Sequence, residues 1–380
     1  METAMNEKLE EIFNLLKLVG SRGVPMKVSP FRSRIIELVT DVLLSYGLPR
    51  EQGFENIFFE MVRQPDWDEA VCSEAISNLK RSQLEHESGQ AEFKSAVVKP
   101  KKQLKNGTVY LSLELAFNYV EFLNSISDVL HENMIRLQFI SPTNDIWCRD
   151  YMPIPVSKDK FVQFVYDPDY LKGKDHLKTD PWAVTKSFDF SPIRSELIID
   201  GGNVIKNGKT VIMTEKIFTE NRNWSKPDLI KQISKELEID KVVIIPIEPE
   251  DFTGHSDGMV RFVGEDSVII NDYLSEDGYT GKFITDLRLA LQSNGIKIIG
   301  TLPYRSFPRK NKDGDITAIG CYMNFLELDD LIIIPKFEIT EDDLAYSKIQ
   351  EYFPLKKVVQ LDCRVIAEEG GVLNCISWTF

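Results

Sequence analysis

IRLQFISPTNDIWCRDYMP, residues Ile135–Pro153, runs from a strand into a loop crowded with Asp145, Trp147, Arg149 and Asp150. Apolar residues at Ile135, Leu137 and Phe139 alternate with polar ones, which is the period of a strand. Before it come the strand TVYLS, Thr108–Ser112, and an apolar-periodic helix near 113–131. The local order is therefore strand, helix, strand, loaded loop. It recurs: a helix opened by Ser225, with Pro227 and Asp228 in its first turn, leads to KVVIIPI and then TGHSDG,. A helix from about Lys282 to Gly295 leads to IKIIG and later CYMNF, and a helix capped by Thr340 leads to VVQLD and GGVLNC.

The loaded loops centre on Asp150, Asp200, His255, Asn324 and Cys375. Intervals of roughly 50 to 70 residues are what five structural units would give if each delivered one motif to a common place. The pattern predicts an α/β fold, a five-bladed α/β propeller over residues 106–380, with the second unit lacking a clear helix between Tyr151 and Ile198. Residues 1–88 have a different texture. Leu9, Ile12, Phe13, Leu16 and Val19 fall at helical spacing, as do Ile35, Leu38, Val39 and Val42, so a small all-helical N-terminal domain is expected there,. The polar, Lys-rich residues 89–105 read as a linker.

A chain of 380 residues buries enough core to need neither disulfides nor a structural metal,. Its five cysteines are odd in number and scattered, without C-x-x-C pairs or ligand spacing, so no metal and no cofactor is expected,. The start METAMNEKLEEIF lacks a secretory pattern, and no apolar stretch approaches the ~18 residues of a membrane span, so a cytoplasmic protein that engages no membrane is expected,. The net charge of −14 argues against nucleic acid as a partner and fits a cationic substrate loosely,.

Each motif alone has two readings. If TGHSDGMVRF enters a strand, His255, Asp257 and Met259 face one way and make an imidazole–carboxylate pair, although a structural histidine satisfies the same pattern,. Arg149 and Asp150 suit a carboxylate site at a strand end or a salt-bridged turn. Asp200-Gly201-Gly202 either lets backbone approach a ligand or turns the chain. Cys375, behind Gly370 and Gly371, is a nucleophile or a small buried hydrophobe; Cys148, Cys321 and Cys363 read as structural,. GNVIKNGKT mimics a phosphate loop with its glycine misplaced and reads as strand, turn, strand.

Together, W-x-R-D-x-x-P, D-G-G-N, G-H-x-D with R-F, Y-x-N-F and a cysteine after a diglycine resemble the agmatine deiminase and bacterial-type peptidylarginine deiminase family of the guanidine-modifying superfamily. The resemblance covers residues 107–380 and implies a five-bladed α/β (pentein-like) propeller with its site on the axis. It implies hydrolytic deimination of agmatine to N-carbamoylputrescine and ammonia, with arginine residues of peptides as the second substrate. By resemblance Cys375 attacks the guanidinium carbon, Asp150 and Asp257 hold its nitrogens, and His255 protonates the departing ammonia. Trp147 would pack on the substrate and Asp200 would bind it. A guanidinium is resonance-stabilised, so a strong nucleophile and flanking carboxylates are what its hydrolysis needs. The chain departs from the family in having Asp200 where Glu is usual, Asn374 where His is common, and ISWTF after the cysteine. An amidinotransferase, in which an amine replaces water, and an inactive propeller that acts as a binding module are the alternatives. A homo-oligomer or a protein partner would be engaged through the N-terminal helical region.

Overall fold

A computed structural model describes residues 107–380 apart from 187, 189, 250, 274–279, 305–308 and 311–315. The predicted helical domain 1–88 and linker 89–105 lie outside the described residues. One compact unit comprises Asn106–Leu113 with Val129–Phe380, and the candidate site lies wholly within it.

Among the described residues, five three-stranded sheets repeat one topology, beside a two-stranded ribbon. In each sheet the central strand has one antiparallel and one parallel neighbour. Lys160–Val165 sits between Ile154–Ser157 (antiparallel) and Ile193–Ile198 (parallel). Thr210–Thr214 sits likewise between Ile205–Asn207 and Lys241–Ile245. Ser267–Asp272 sits between Val260–Gly264 and Lys297–Pro303, and Leu331–Lys336 between Leu326–Glu327 and Lys357–Asp362. The remaining sheet joins the two ends of the described chain. Thr108–Ser112 runs parallel to Arg136–Ile140 and antiparallel to Ser377–Thr379, with Tyr110 opposite Trp378.

A parallel pair needs a crossover, and the crossovers carry the helices. Lys226–Leu237 shows why they form: Ser225 caps the first turn by accepting from the Asp228 N–H at 3.3 Å, Pro227 stands in that turn, and Glu238 ends the helix in a left-handed conformation. The cap contributes about 1 kcal/mol. Leu229, Ile233 and Leu237, spaced i, i+4 and i+8, are wholly buried against Ile154, Val162, Leu197, Val211 and Met213. Burying each contributes about 1.5–3 kcal/mol. Cores of this kind sit between successive sheets, and a similar one unites Ile212, Val243 and Val268 with Phe283, Leu287 and Leu291.

Several local expectations change. The helix expected near 113–131 is two helices, Glu114–Asn118 and Val120–Glu132. Thr340 does not cap the helix Asp342–Tyr352; Asp342 accepts from the N–H groups of Phe337 and Ile339, each at 3.0 Å, and pins the loop instead. Between Tyr151 and Ile198 the described residues form one short α-helix, Pro181–Thr185, beside the 3-10 turns Asp169–Leu171 and Asp175–Leu177, in keeping with the weak pattern there. GNVIKNGKT is the expected antiparallel hairpin. TGHSDG is not part of a strand, because Gly254 takes a left-handed φ of 64° and the strand starts at Val260. Among the described residues no helix is long and apolar enough to cross a membrane.

Candidate active site

Four of the loaded loops follow directly after the second strand of a parallel pair, where backbone ends are free and side chains from different sheets can meet. Those after Arg136–Ile140, Ile193–Ile198, Lys241–Ile245 and Lys357–Asp362 supply Asp150, Asp200, His255 with Asp257, and Cys375. The loop before Leu326–Glu327 supplies Asn324. Trp147, Asp150, His255, Asp257, Asn324 and Cys375 line one cavity of about 160 Å³. For comparison, an apolar cavity of ~150 Å³ holds a benzene-sized molecule.

Glycines allow the loops to come this close. A Cβ on Gly201 would fall 2.0 Å from the Arg149 carbonyl oxygen, and one on Gly202 would fall 2.5 Å from His255 Nδ1 and 2.7 Å from Asp150 Oδ1. The diglycine turns the chain, as a 3-10 turn over Gly201–Asn203, and also permits the approach of two neighbouring loops. The Gly202 N–H donates to Asp150 Oδ1 at 2.9 Å, and the Gly202 carbonyl accepts from the Asp257 N–H at 3.1 Å. Backbone of the second loop therefore positions both carboxylates.

The cysteine loop is held from two sides. The Arg149 N–H donates to the Cys375 carbonyl at 3.0 Å and its Nε to the Asn374 carbonyl at 3.2 Å, while the Cys148 thiol donates to the Ile376 carbonyl at 2.8 Å. Opposite, Asn324 Oδ1 accepts from the N–H groups of Asn374 and Cys375 at 3.1 and 3.2 Å. Asn324 and Asn374 both donate to Asp257 Oδ2, at 2.9 and 2.7 Å, and the Cys375 Sγ lies 3.7 Å from that oxygen. Asn374 thereby aims Asp257. Arg261, the arginine of the R-F motif, holds the Asn324 turn through the carbonyls of Met323 and Phe325 at 3.2 and 2.8 Å.

Charge is arranged around the imidazole. His255 Nε2 is 3.0 Å from Asp200 Oδ2, and Nδ1 is 3.7 Å from Asp150 Oδ1. Burial works against a charged ring, but Asp150 and the hydrogen bond to Asp200 outweigh it and raise His255 to about 9. Burial lifts Asp150 to about 6, with His255 opposing. Burial also opposes ionisation of Asp200, yet His255 and Lys216 together pull it below the usual carboxylate range. The Cys375 thiol is pushed well up, by burial and then by the charges of Asp257 and Asp150. Without a cation between those carboxylates the sulfur stays protonated.

Asp200 differs from its expected place. Its side chain is buried behind His255 rather than on the cavity wall, and Lys216 Nζ donates to its Oδ2 at 2.7 Å. Lys216 also pairs with Glu220 at 3.3 Å and lies 4.5 Å from the centre of the Tyr170 ring. Cys148 and Cys363 are buried, whereas Cys321 is partly exposed on the cavity wall. Trp378 is buried and its Nε1 donates to the Pro153 carbonyl at 2.8 Å; Phe380 stacks on Tyr110 but stays half exposed. Lys216 and Glu248 had no signal in the sequence, because each finds its partners on other segments, Lys216 on Asp200 and Glu248 on Tyr273 and Tyr304.

Known proteins resemble this chain in sequence and in fold. The model of the Porphyromonas-type peptidyl-arginine deiminase family matches residues 98–380. A Lactococcus lactis protein assigned as an agmatine deiminase is 26% identical over 285 residues, which is 62% of this chain and 74% of that protein. One from Enterococcus faecalis is 27% identical over 278 residues, with the same coverage of 62% and 74%. Among solved structures, the C. jejuni agmatine deiminase superposes with a TM-score of 0.60 at 18% identity, covering 72% of this chain and 92% of its own. The Enterococcus faecalis agmatine deiminase gives 0.60 at 19%, with the same coverage.

Proposed function

The chain belongs to the Porphyromonas-type peptidyl-arginine deiminase family, whose members hydrolyse guanidino groups, and on that premise we propose that it deiminates a small cationic guanidine, agmatine first, through a covalent adduct on Cys375. The observation that carries the proposal is a thiol sharing one cavity with Asp150, Asp257 and an imidazole that favours its charged form. The finer architecture belongs to the same proposal. Five sheets of one topology, with the last strand paired to the first, support a five-bladed α/β propeller.

In the proposed mechanism Asp150 and Asp257 bind the guanidinium nitrogens and Trp147 covers its face. The bound cation offsets the two carboxylates that hold the thiol protonated, so Cys375 loses its proton to water when substrate is present. The thiolate attacks the guanidinium carbon to form a C–S bond. His255 gives its proton to the departing nitrogen, the C–N bond breaks and ammonia leaves. The neutral imidazole then takes a proton from a water that attacks the thiouronium carbon; the C–S bond breaks and a ureido product and the thiolate are released.

The test is ammonia and ureido product from agmatine, arginine and arginyl peptides. Turnover of agmatine that disappears in Cys375→Ala, with an unchanged melting temperature, is expected. Absence of turnover of any of them by protein with an intact Cys375 refutes the reading.

A further inference from the structure

Glu248 follows the strand Lys241–Ile245 and lines the cavity that holds Cys375, yet the mechanism above does not use it. It is 9% exposed, its Oε2 accepts from the Tyr273 hydroxyl at 2.8 Å, and its Oε1 accepts from the Tyr304 hydroxyl. Burial, then the charge of Glu248, raises both phenols well above their usual range, so they remain donors. Burial foremost lifts Glu248 itself to about 8, with the tyrosine hydrogen bonds opposing and Asp251 adding to the rise. After one tyrosine on each oxygen, the carboxylate keeps further acceptor sites for a ligand. A buried carboxyl fixed by two hydroxyls and facing a cavity lacks only a cation to make its ionised form favourable.

Asp257 and Asp150 act on the Cys375 thiol and Asp251 acts on Glu248, while Glu248, Asp257 and Asp251 all act on Cys321 on the same cavity wall. Phe252, Ile316 and Ile319 contribute apolar wall to the same space. Among its described lining residues Asp150, Glu248, Asp251, Asp257 and Glu369 are acids and none is Lys or Arg. Such a wall favours a second positive charge and disfavours a carboxylate.

We propose that Glu248, held by Tyr273 and Tyr304, is a specificity-determining residue that binds an ammonium at the far end of the substrate's alkyl tail. The assignment rests on the guanidine reading above and narrows it to guanidines with an amine tail and no carboxylate. Electrostatic pairing with a buried carboxylate gives the tail a large share of the binding discrimination, since a charge-assisted hydrogen bond there is among the stronger ones.

Equilibrium binding to Cys375→Ala protein, where nothing turns over, tests it with agmatine, with butylguanidine, which has the same chain and no amine, and with arginine. Agmatine should bind about 10- to 100-fold more tightly than butylguanidine, and Glu248→Gln should remove most of that preference while leaving butylguanidine within about 3-fold. Arginine should bind more weakly than agmatine. Tyr304→Phe, which keeps the carboxylate but loosens it, should weaken agmatine selectively by a smaller factor, and it carries the test if Glu248→Gln does not fold. Equal affinity for agmatine and butylguanidine, or an equal loss of both in either variant, overturns the role of Glu248 and leaves the guanidine reading standing. Failure to bind any of the three overturns both.

Discussion

Replacing Gly371 by alanine isolates the placement of Trp147 from everything else in the site. Gly371 has no left-handed φ, so the backbone tolerates any residue, but the added Cβ would lie 2.5 Å from Trp147 Cζ3, 2.9 Å from Cη2 and 3.1 Å from Cε3. Carbon atoms rest ~3.5–4.0 Å apart, so the indole or the cysteine loop has to yield by about 1 Å. A displacement of that size at a group that orients substrate lowers catalysis on the order of 10²-fold. Overpacking adds a stability loss of about 1–3 kcal/mol. Gly370→Ala is the matched control: its φ of 99° strains any side chain, while its nearest neighbours, the Ile316 carbonyl oxygen and the Phe252 ring, stand 3.5 Å away and Trp147 is not among them. The assay is kcat/KM for ammonia release from agmatine beside calorimetric melting of both variants. Gly371→Ala should lose far more activity than its melting shift explains, and Gly370→Ala should lose mainly stability. Wild-type kcat/KM in Gly371→Ala, or an equal activity loss in both variants, refutes the reasoning that Trp147 must sit where it does.

Other expectations follow from the same contacts. Removing Ser377–Phe380 deletes the antiparallel partner of Thr108–Ser112 and the Trp378 anchor on Pro153, so melting and turnover should fall together; an active, stably folded truncation contradicts that. His255 is raised from 6.5 to about 9 in the folded protein, so its contribution to stability is full below the unfolded value and is lost as pH rises through the folded one,. The loss should reach about 3 kcal/mol between pH 6 and 10, and the difference in denaturant midpoint between wild type and His255→Gln should shrink over that window. Lys216 lowers the tendency of His255 to hold its proton, so Lys216→Met should move the His255 limb of the pH–rate profile upward and Lys216→Arg should leave it in place. An unchanged limb in Lys216→Met would mean that the cation serves packing alone.

Much of the candidate site is legible in the sequence because the residues that bear on chemistry share loops with strong strand patterns. Asp150, His255, Asp257, Asn324 and Cys375 each follow or precede a short apolar run, and the repetition of that unit marks them. What the sequence conceals depends on distance between units. Asp200 has the same local context as the others, and only the donation from Lys216 and the side of His255 it occupies separate it from the cavity. Asn374 reads as a missing histidine until its amide is seen on Asp257. Glu248 looks like one more surface acid in a chain with many, and burial between two tyrosines distinguishes it. Thr340 does not cap its helix because its hydroxyl donates to the Glu341 carboxylate, while Asp342 uses both oxygens on the N–H groups of Phe337 and Ile339 before the helix.

Pairing Thr108–Ser112 with Ser377–Thr379 sets an order of events in folding as well as a shape. Residues about 270 apart must meet, and the entropy of closing so long a loop has to be met before the contact is rewarded. The strands between them can form from nearer partners, so this pairing is the natural final event. Cys375 lies just ahead of the closing strand, and its backbone is held by Arg149 and Asn324 on either side. Asn374, which holds Asp257, arrives on the same segment as the sulfur. Carboxylate and nucleophile would therefore reach their working geometry together, and chemical competence would arrive in one step with that pairing.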